Sequence, residues 1–191
     1  CHSLTYISIP SSVTKIGKKA FYGCISLTDI VIPSSVTNIG KMAFCGCTSL
    51  QKISIPSGVF IIKQSTFAKC SSLSHVSIPH SVKEIRKYAF SECWVLSQIQ
   101  IPRFVTKIEK HAFSFCELLE KVSIYSSIIK ISNIAFFRCI SLVKVDISLP
   151  SIVRIKKKFK RCNDSKQFWS IIWLYISILF FSLFSKYFAY H

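Results

Sequence analysis

Residues Cys24 to Phe44 read CISLTDIVIPSSVTNIGKMAF, and the same pattern returns every 23 residues along the 191-residue chain. Leucine recurs at Leu4, Leu27, Leu50, Leu73, Leu96, Leu119 and Leu142. Isoleucine or valine follows three residues later, from Ile7 to Val145, and isoleucine again two residues after that, from Ile9 to Ile147. Proline closes the first five copies at Pro10, Pro33, Pro56, Pro79 and Pro102. Phenylalanine stands at Phe21, Phe44, Phe67, Phe90, Phe113, Phe136 and Phe159. Eight of the nine cysteines share one further position, from Cys1 to Cys162. A period this strict decides the architecture before any local propensity is weighed.

Within one copy, Leu-x-x-Ile-x-Ile ends in alternation with β-branched residues, which predicts a short strand with Leu and both Ile inward. Proline ends that strand because it has no N–H to give to a continuing ladder. Val13 and Ile16 point inward from a second extended piece. Ala20, Phe21 and Cys24 follow at helix-like spacing, which predicts a turn or two of helix closing the coil. One such unit cannot bury its own apolar side, but stacked units bury a continuous core. The fold class is therefore a repeat solenoid of parallel β-strands and short helical turns. It has about seven copies with the last degenerate, followed by a C-terminal hydrophobic helix.

The quoted stretch resembles the BspA-type leucine-rich repeat, whose pattern runs roughly C-x-S-L-x-x-I-x-I-P-x-S-V-T-x-I-G-x-x-A-F. The resemblance covers residues 1–147 well and loosens where Tyr125 and Ser148 replace proline. It implies a surface-displayed, non-enzymatic binding scaffold, since such repeats serve many ligands.

The residues themselves offer little catalytic chemistry. Only 8 acidic side chains and 5 glycines are present, with no phosphate-cradling Gly-rich loop. His2, His75, His80, His111 and His191 fall at different repeat positions, so no metal centre, cofactor site or base–nucleophile pair is expected. The in-register cysteines are spaced by the repeat rather than by metal-ligand patterns, and are read as buried thiols. Cys45 alone is off register; with Cys47 it makes a C-x-C pair, which is read as an incidental exposed thiol.

The candidate binding surface lies between the inward Leu and Ile of each strand. Its varied positions include Tyr6, Asp29, Lys52, His75, Gln98, Lys121 and Lys144, over a core that scarcely changes. A protein or glycan ligand is expected there, with unselected surface drift as the competing reading.

The formal net charge of +17 is divided between a solenoid surface and a basic cluster near the end. Lys18, Lys41, Lys87, Lys110 and Lys156 form a longitudinal stripe, interrupted by Gln64 and Asn133. The stripe could meet phosphate, acidic glycan or anionic lipid head groups. A solvated face is the preferred reading, because nucleic-acid readers usually also carry stacking aromatics in register and none accompany it.

The sequence divides into a solenoid over residues 1–162, a polar link over 163–167 and an apolar segment over 168–190. Gln167 to Ser185 carries no charge, which suits a membrane-spanning helix, with a helix capping the solenoid as the alternative. The resemblance implies display at the cell surface. The preceding cluster of Lys156, Lys157, Lys158, Lys160, Arg161 and Lys166 instead favours a cytoplasm-facing, tail-anchored scaffold that reads anionic lipid.

Overall fold

The computed structural model describes residues 3–125 and 130–147. The link, the apolar segment and the lysine-rich cluster lie outside these residues. Among the described residues, no helix is long and apolar enough to cross a membrane.

The described chain winds into a parallel-strand solenoid of about six turns, each 23 residues long. One side of every coil carries the first ladder: β1 (Tyr6–Ser8), β3 (Asp29–Val31), β5 (Lys52–Ser54), β7 (His75–Ser77), β9 (Gln98–Ile101), β11 (Lys121–Ile124) and β13 (Lys144–Ile147). A second side carries two-residue strands: β2 (Lys15–Ile16), β4 (Asn38–Ile39), β6 (Ile61–Ile62), β8 (Glu84–Ile85), β10 (Lys107–Ile108) and β12 (Lys130–Ile131). All pairings are parallel, and each residue faces the one 23 positions on, as in Ile7 opposite Ile30 and Ile85 opposite Ile108. The sequence period is thus the circumference of one coil.

The proline between the two strands starts a turn rather than merely ending one. In the first five coils its carbonyl accepts the N–H of the valine three residues on, as in Val36 to Pro33 at 3.0 Å. Where Tyr125 takes the proline's place, its N–H donates to the Ile101 carbonyl at 3.1 Å and extends the ladder. The Ser and Thr of the S-V-T pattern donate to carbonyls of the preceding coil, as in Ser35 to Val13 at 2.7 Å and Ser81 to Val59 at 2.9 Å.

The third side corrects the expectation of helical turns: no helix forms among the described residues. The N–H groups of Ala20, Tyr22 and Cys24 bond three residues back, to Gly17, Lys19 and Phe21. The alternate N–H groups of Lys19, Phe21 and Gly23 instead reach Lys41, Ala43 and Cys45 of the next coil. This alternation requires left-handed backbone at two places per coil. One is Lys19, Met42, Ser65, Tyr88 and His111; the other is Gly23, Gly46, Lys69, Glu92, Phe115 and Arg138. A residue with positive φ stops a right-handed helix after one turn and frees the next N–H for the neighbouring coil.

Inside, the sequence ladders become columns of the core. Leu27, Leu50, Leu73, Leu96, Leu119 and Leu142 are fully buried, as are Ala43, Ala89, Ala112 and Ala135 before their phenylalanines, with Thr66 in that place before Phe67. The phenylalanine rings stack face to face, 5.2, 5.4, 5.3, 5.3 and 5.0 Å apart from Phe21 through Phe136.

The first two coils approach closely where Gly17 and Gly40 meet. A Cβ on Gly40 would lie 2.5 Å from the carbonyl carbon and oxygen of Gly17 and from the Lys18 nitrogen, whereas one on Gly17 would meet nothing. Gly40→Ala is therefore expected to destabilise the fold by about 1–3 kcal/mol through forced separation of the first two coils. Gly17→Ala should stay within about 0.5 kcal/mol of the parent in the same urea titration.

Candidate recognition face

The first ladder presents the sequence-predicted positions on one side of the coils, in three successive sheets: β1 with β3, β5 with β7, and β9 with β11 and β13. Tyr6 opposes Asp29, Lys52 opposes His75, and Gln98, Lys121 and Lys144 stand in line. Tyr6, Lys52, His75, Gln98 and Lys144 are exposed, while Asp29 and Lys121 are half-buried. The neighbouring outward positions differ in depth: Ser54, Ser77 and Gln100 are exposed, but Ser123 is buried. Period-2 alternation accounts for this arrangement, because Ile30, Ile53, Ile99 and Val122 turn inward between the outward residues.

Charge on this face is locally paired. Lys52 Nζ lies 3.7 Å from Asp29, and Asp146 lies 3.5 Å from Lys121 and 3.7 Å from Lys144. These pairs are solvent-exposed and add little stability. Their ammonium and carboxylate groups stay available to a ligand.

Between the charged ends lies a groove of about 220 Å³. Val76 and Ile78 line it together with His75, His80, Gln98, Gln100 and Tyr125. Tyr125 is 53% exposed, so its ring is open to a ligand. The histidines occupy different repeat positions, which predicts that they stay apart. His75 and His80 in fact belong to one coil, on either side of Pro79, and both line this groove. No group of three or more His, Cys, Asp or Glu side chains among the described residues could hold a metal ion.

The cysteine column is structural. Cys24, Cys47, Cys70, Cys93, Cys116 and Cys139 are buried and unpaired. From Cys47 onward each Sγ donates to the phenylalanine carbonyl 26 residues back: Cys47 to Phe21 and Cys70 to Phe44 at 3.1 Å, Cys93 to Phe67 at 3.3 Å, Cys116 to Phe90 at 3.2 Å and Cys139 to Phe113 at 3.1 Å. Burial pushes the thiols up, Cys47 to about 12 and Cys70, Cys93 and Cys139 well above the ordinary range. Cys45 is a correction: it is buried, not an exposed thiol, in the column continued by Ala68, Ser91 and Ser114.

The opposite side holds features that the repeat pattern gave no sign of. Tyr88 stacks on His111 with ring centroids 5.1 Å apart, and His111 meets Phe137 edge-on at 6.0 Å. These side chains sit at or beside the left-handed positions, where residue type is free to vary between coils. Lys18, Lys41, Lys87 and Lys110 of the stripe are exposed, and Lys156 lies outside the described residues.

Comparison with known proteins agrees with this geometry. No curated protein matches the chain in sequence. Several solved structures are similar to it. A leucine-rich repeat protein of T. pallidum has 32% identity over 75% of this chain and 69% of that one, with a TM-score of 0.68. One from Bacteroides ovatus has 30% identity over 74% and 45%, with a TM-score of 0.63. One from Eubacterium ventriosum has 25% identity over 78% and 40%, with a TM-score of 0.64. The chain thus spans less than half the length of the last two. The model of the BspA-type leucine-rich repeat region matches in six copies over residues 1–118 and 83–170, and the chain belongs to that family.

Proposed function

We propose that the chain is a non-enzymatic recognition module whose first-ladder face binds a protein or a glycan. The observation that carries this reading is the contrast between faces of the same strands. Leu, Ile and Val recur inward in every coil, while Tyr6, Asp29, Lys52, His75, Gln98, Lys121 and Lys144 vary outward at the same place on successive coils. Parallel solenoids offer such extended faces for binding. The groove beside His75 adds an open aromatic ring, amides and imidazoles above an aliphatic floor, a mixture suited to amphipathic ligands. Family membership supports an interaction role.

The test is simultaneous substitution of Lys52, His75 and Lys121 by alanine, with binding measured against a panel of immobilised matrix proteins and glycans. Affinity for whatever the parent binds should fall at least about tenfold, the equivalent of 1.4 kcal/mol. The melting temperature should hold, because exposed side chains outside the core contribute within about 0.5 kcal/mol. Undiminished binding by the triple variant would place recognition elsewhere.

A further inference from the structure

The second ladder carries a cleft of about 440 Å³, lined by Lys87, Lys107, Glu109, Lys110, Lys130 and Ser132 around Ile108 and Ile131. We propose that this cleft is a separate binding site for a sulfated glycan.

Parallel register builds the site. Lys107 directly opposes Lys130, with Glu84 on the other side of Lys107. Lys87 and Lys110 stand one coil apart, two residues beyond the ends of β8 and β10. Neighbouring strands are separated by about 4.8 Å. Lys107 with Lys130, and Lys87 with Lys110, therefore form two like-charged pairs on successive coils around the cleft.

The local carboxylates are already engaged. Arg86 takes Glu84 at 2.7 Å and Glu109 at 3.1 Å. Glu109 also accepts from Lys107 Nζ at 2.7 Å and from the Lys87 N–H at 3.0 Å. Lys110 and Lys130 have no carboxylate within ion-pair distance among the described residues, and Lys87 Nζ lies 4.8 Å from the Tyr88 ring centre instead. Five cations thus surround two carboxylates, and like charges directly opposed on adjacent strands are destabilising. A bound polyanion would relieve that repulsion. Burial, and after it the charges of Lys87 and Lys110, hold the His111 imidazole below its ordinary value.

Three features favour a sulfated glycan over nucleic acid. The free cations are lysines, hydrated point charges suited to scattered sulfates, while the arginine fork is committed to carboxylates. Among the described residues that line the cleft there is no aromatic ring on which a base could stack. Glu109 and Ser132 line the cleft and offer oxygen acceptors for sugar hydroxyls. The volume falls within the usual range for small-ligand sites.

The full chain would be titrated calorimetrically with a heparin-derived tetrasaccharide at about 0.15 M salt, where distant surface charges are screened. K107Q/K130Q and K87Q/K110Q should each weaken binding at least about tenfold, while K18Q/K41Q, which removes the same charge elsewhere on the stripe, should change it less than about twofold. The two cleft variants serve as mutual controls for folding. Equal losses in all three variants would show attraction by net charge alone and overturn the site. Equal affinity for a DNA duplex, or no binding of the tetrasaccharide by the parent, would overturn the glycan assignment. None of these outcomes bears on the first-ladder face.

Discussion

Phe90→Ala is expected to destabilise the solenoid by about 3–5 kcal/mol, the usual range for removing a buried phenylalanine. The ring is fully buried and lies between Phe67 and Phe113, each 5.3 Å away and nearly parallel. Truncation therefore removes apolar burial, opens a cavity that rigid stacked backbones cannot collapse into, and strips one stacking partner from each neighbour. Stacked aromatic pairs add about 0.5–1.5 kcal/mol beyond area burial. Position along the stack supplies the control. Phe21 is half-buried and stacks on Phe44 alone among the described rings, so Phe21→Ala should cost less than half as much. In a solenoid each coil leans only on its neighbours, so a mid-stack lesion should also uncouple the two halves. Urea unfolding followed by circular dichroism should show a lower midpoint and a broadened transition for Phe90→Ala. Equal losses at the two positions would mean that the ring column does not hold the coils together.

The second large effect concerns the thiols. Cys70, Cys93, Cys116 and Cys139 should resist alkylation by iodoacetamide at pH 8 in the native protein and react promptly once it is unfolded. Each is fully buried and has its S–H committed to a phenylalanine carbonyl of the preceding coil. Attack requires both exposure and the thiolate form, and burial opposes both. If local opening costs about 4 kcal/mol, protection is on the order of a thousandfold. Mass spectrometry of quenched samples would read each site. Comparable native and denatured rates would contradict the buried column, and so would recovery of disulfide-linked peptides from the native protein. The same upward shifts fix a pH dependence. Above the ordinary thiol value of about 8.5 the unfolded chain loses protons first, so stability falls as pH rises beyond it.

Much of the fold was written in the period. Leu, Ile, Phe and Cys at fixed 23-residue intervals dictate stacked coils, because only in-register stacking buries all four columns together. The strands followed from alternation, and their register from the same number. The third side was not legible for a definite reason. Ala20, Phe21 and Cys24 have helical spacing, but Lys19 and Gly23 take left-handed backbone. Glycine marks that conformation only at Gly23 and Gly46, and later coils place Lys69, Glu92, Phe115 and Arg138 there. Side-chain identity therefore carries no signal of the turn.

The candidate face was readable as a column of varying outward positions, yet its groove was not. His75 and His80 flank Pro79 within one coil, while Tyr125 enters from two coils further on through a lost proline. Comparing equivalent positions between copies cannot bring together residues that differ in repeat position. The lysine cleft escaped for the same reason, since Lys107 and Lys130 belong to one column and Lys87 and Lys110 to another.

Recognition through the first ladder is tested most directly by hydroxyl-radical footprinting. The full chain would be labelled alone and bound to the strongest partner found among the matrix proteins and glycans. Tyr6, His75, His80 and Tyr125 should lose reactivity on binding, while Phe60, Phe104 and Trp94, exposed elsewhere on the coils, should keep it. Protection of Phe60, Phe104 or Trp94 with the groove still reactive would contradict the account.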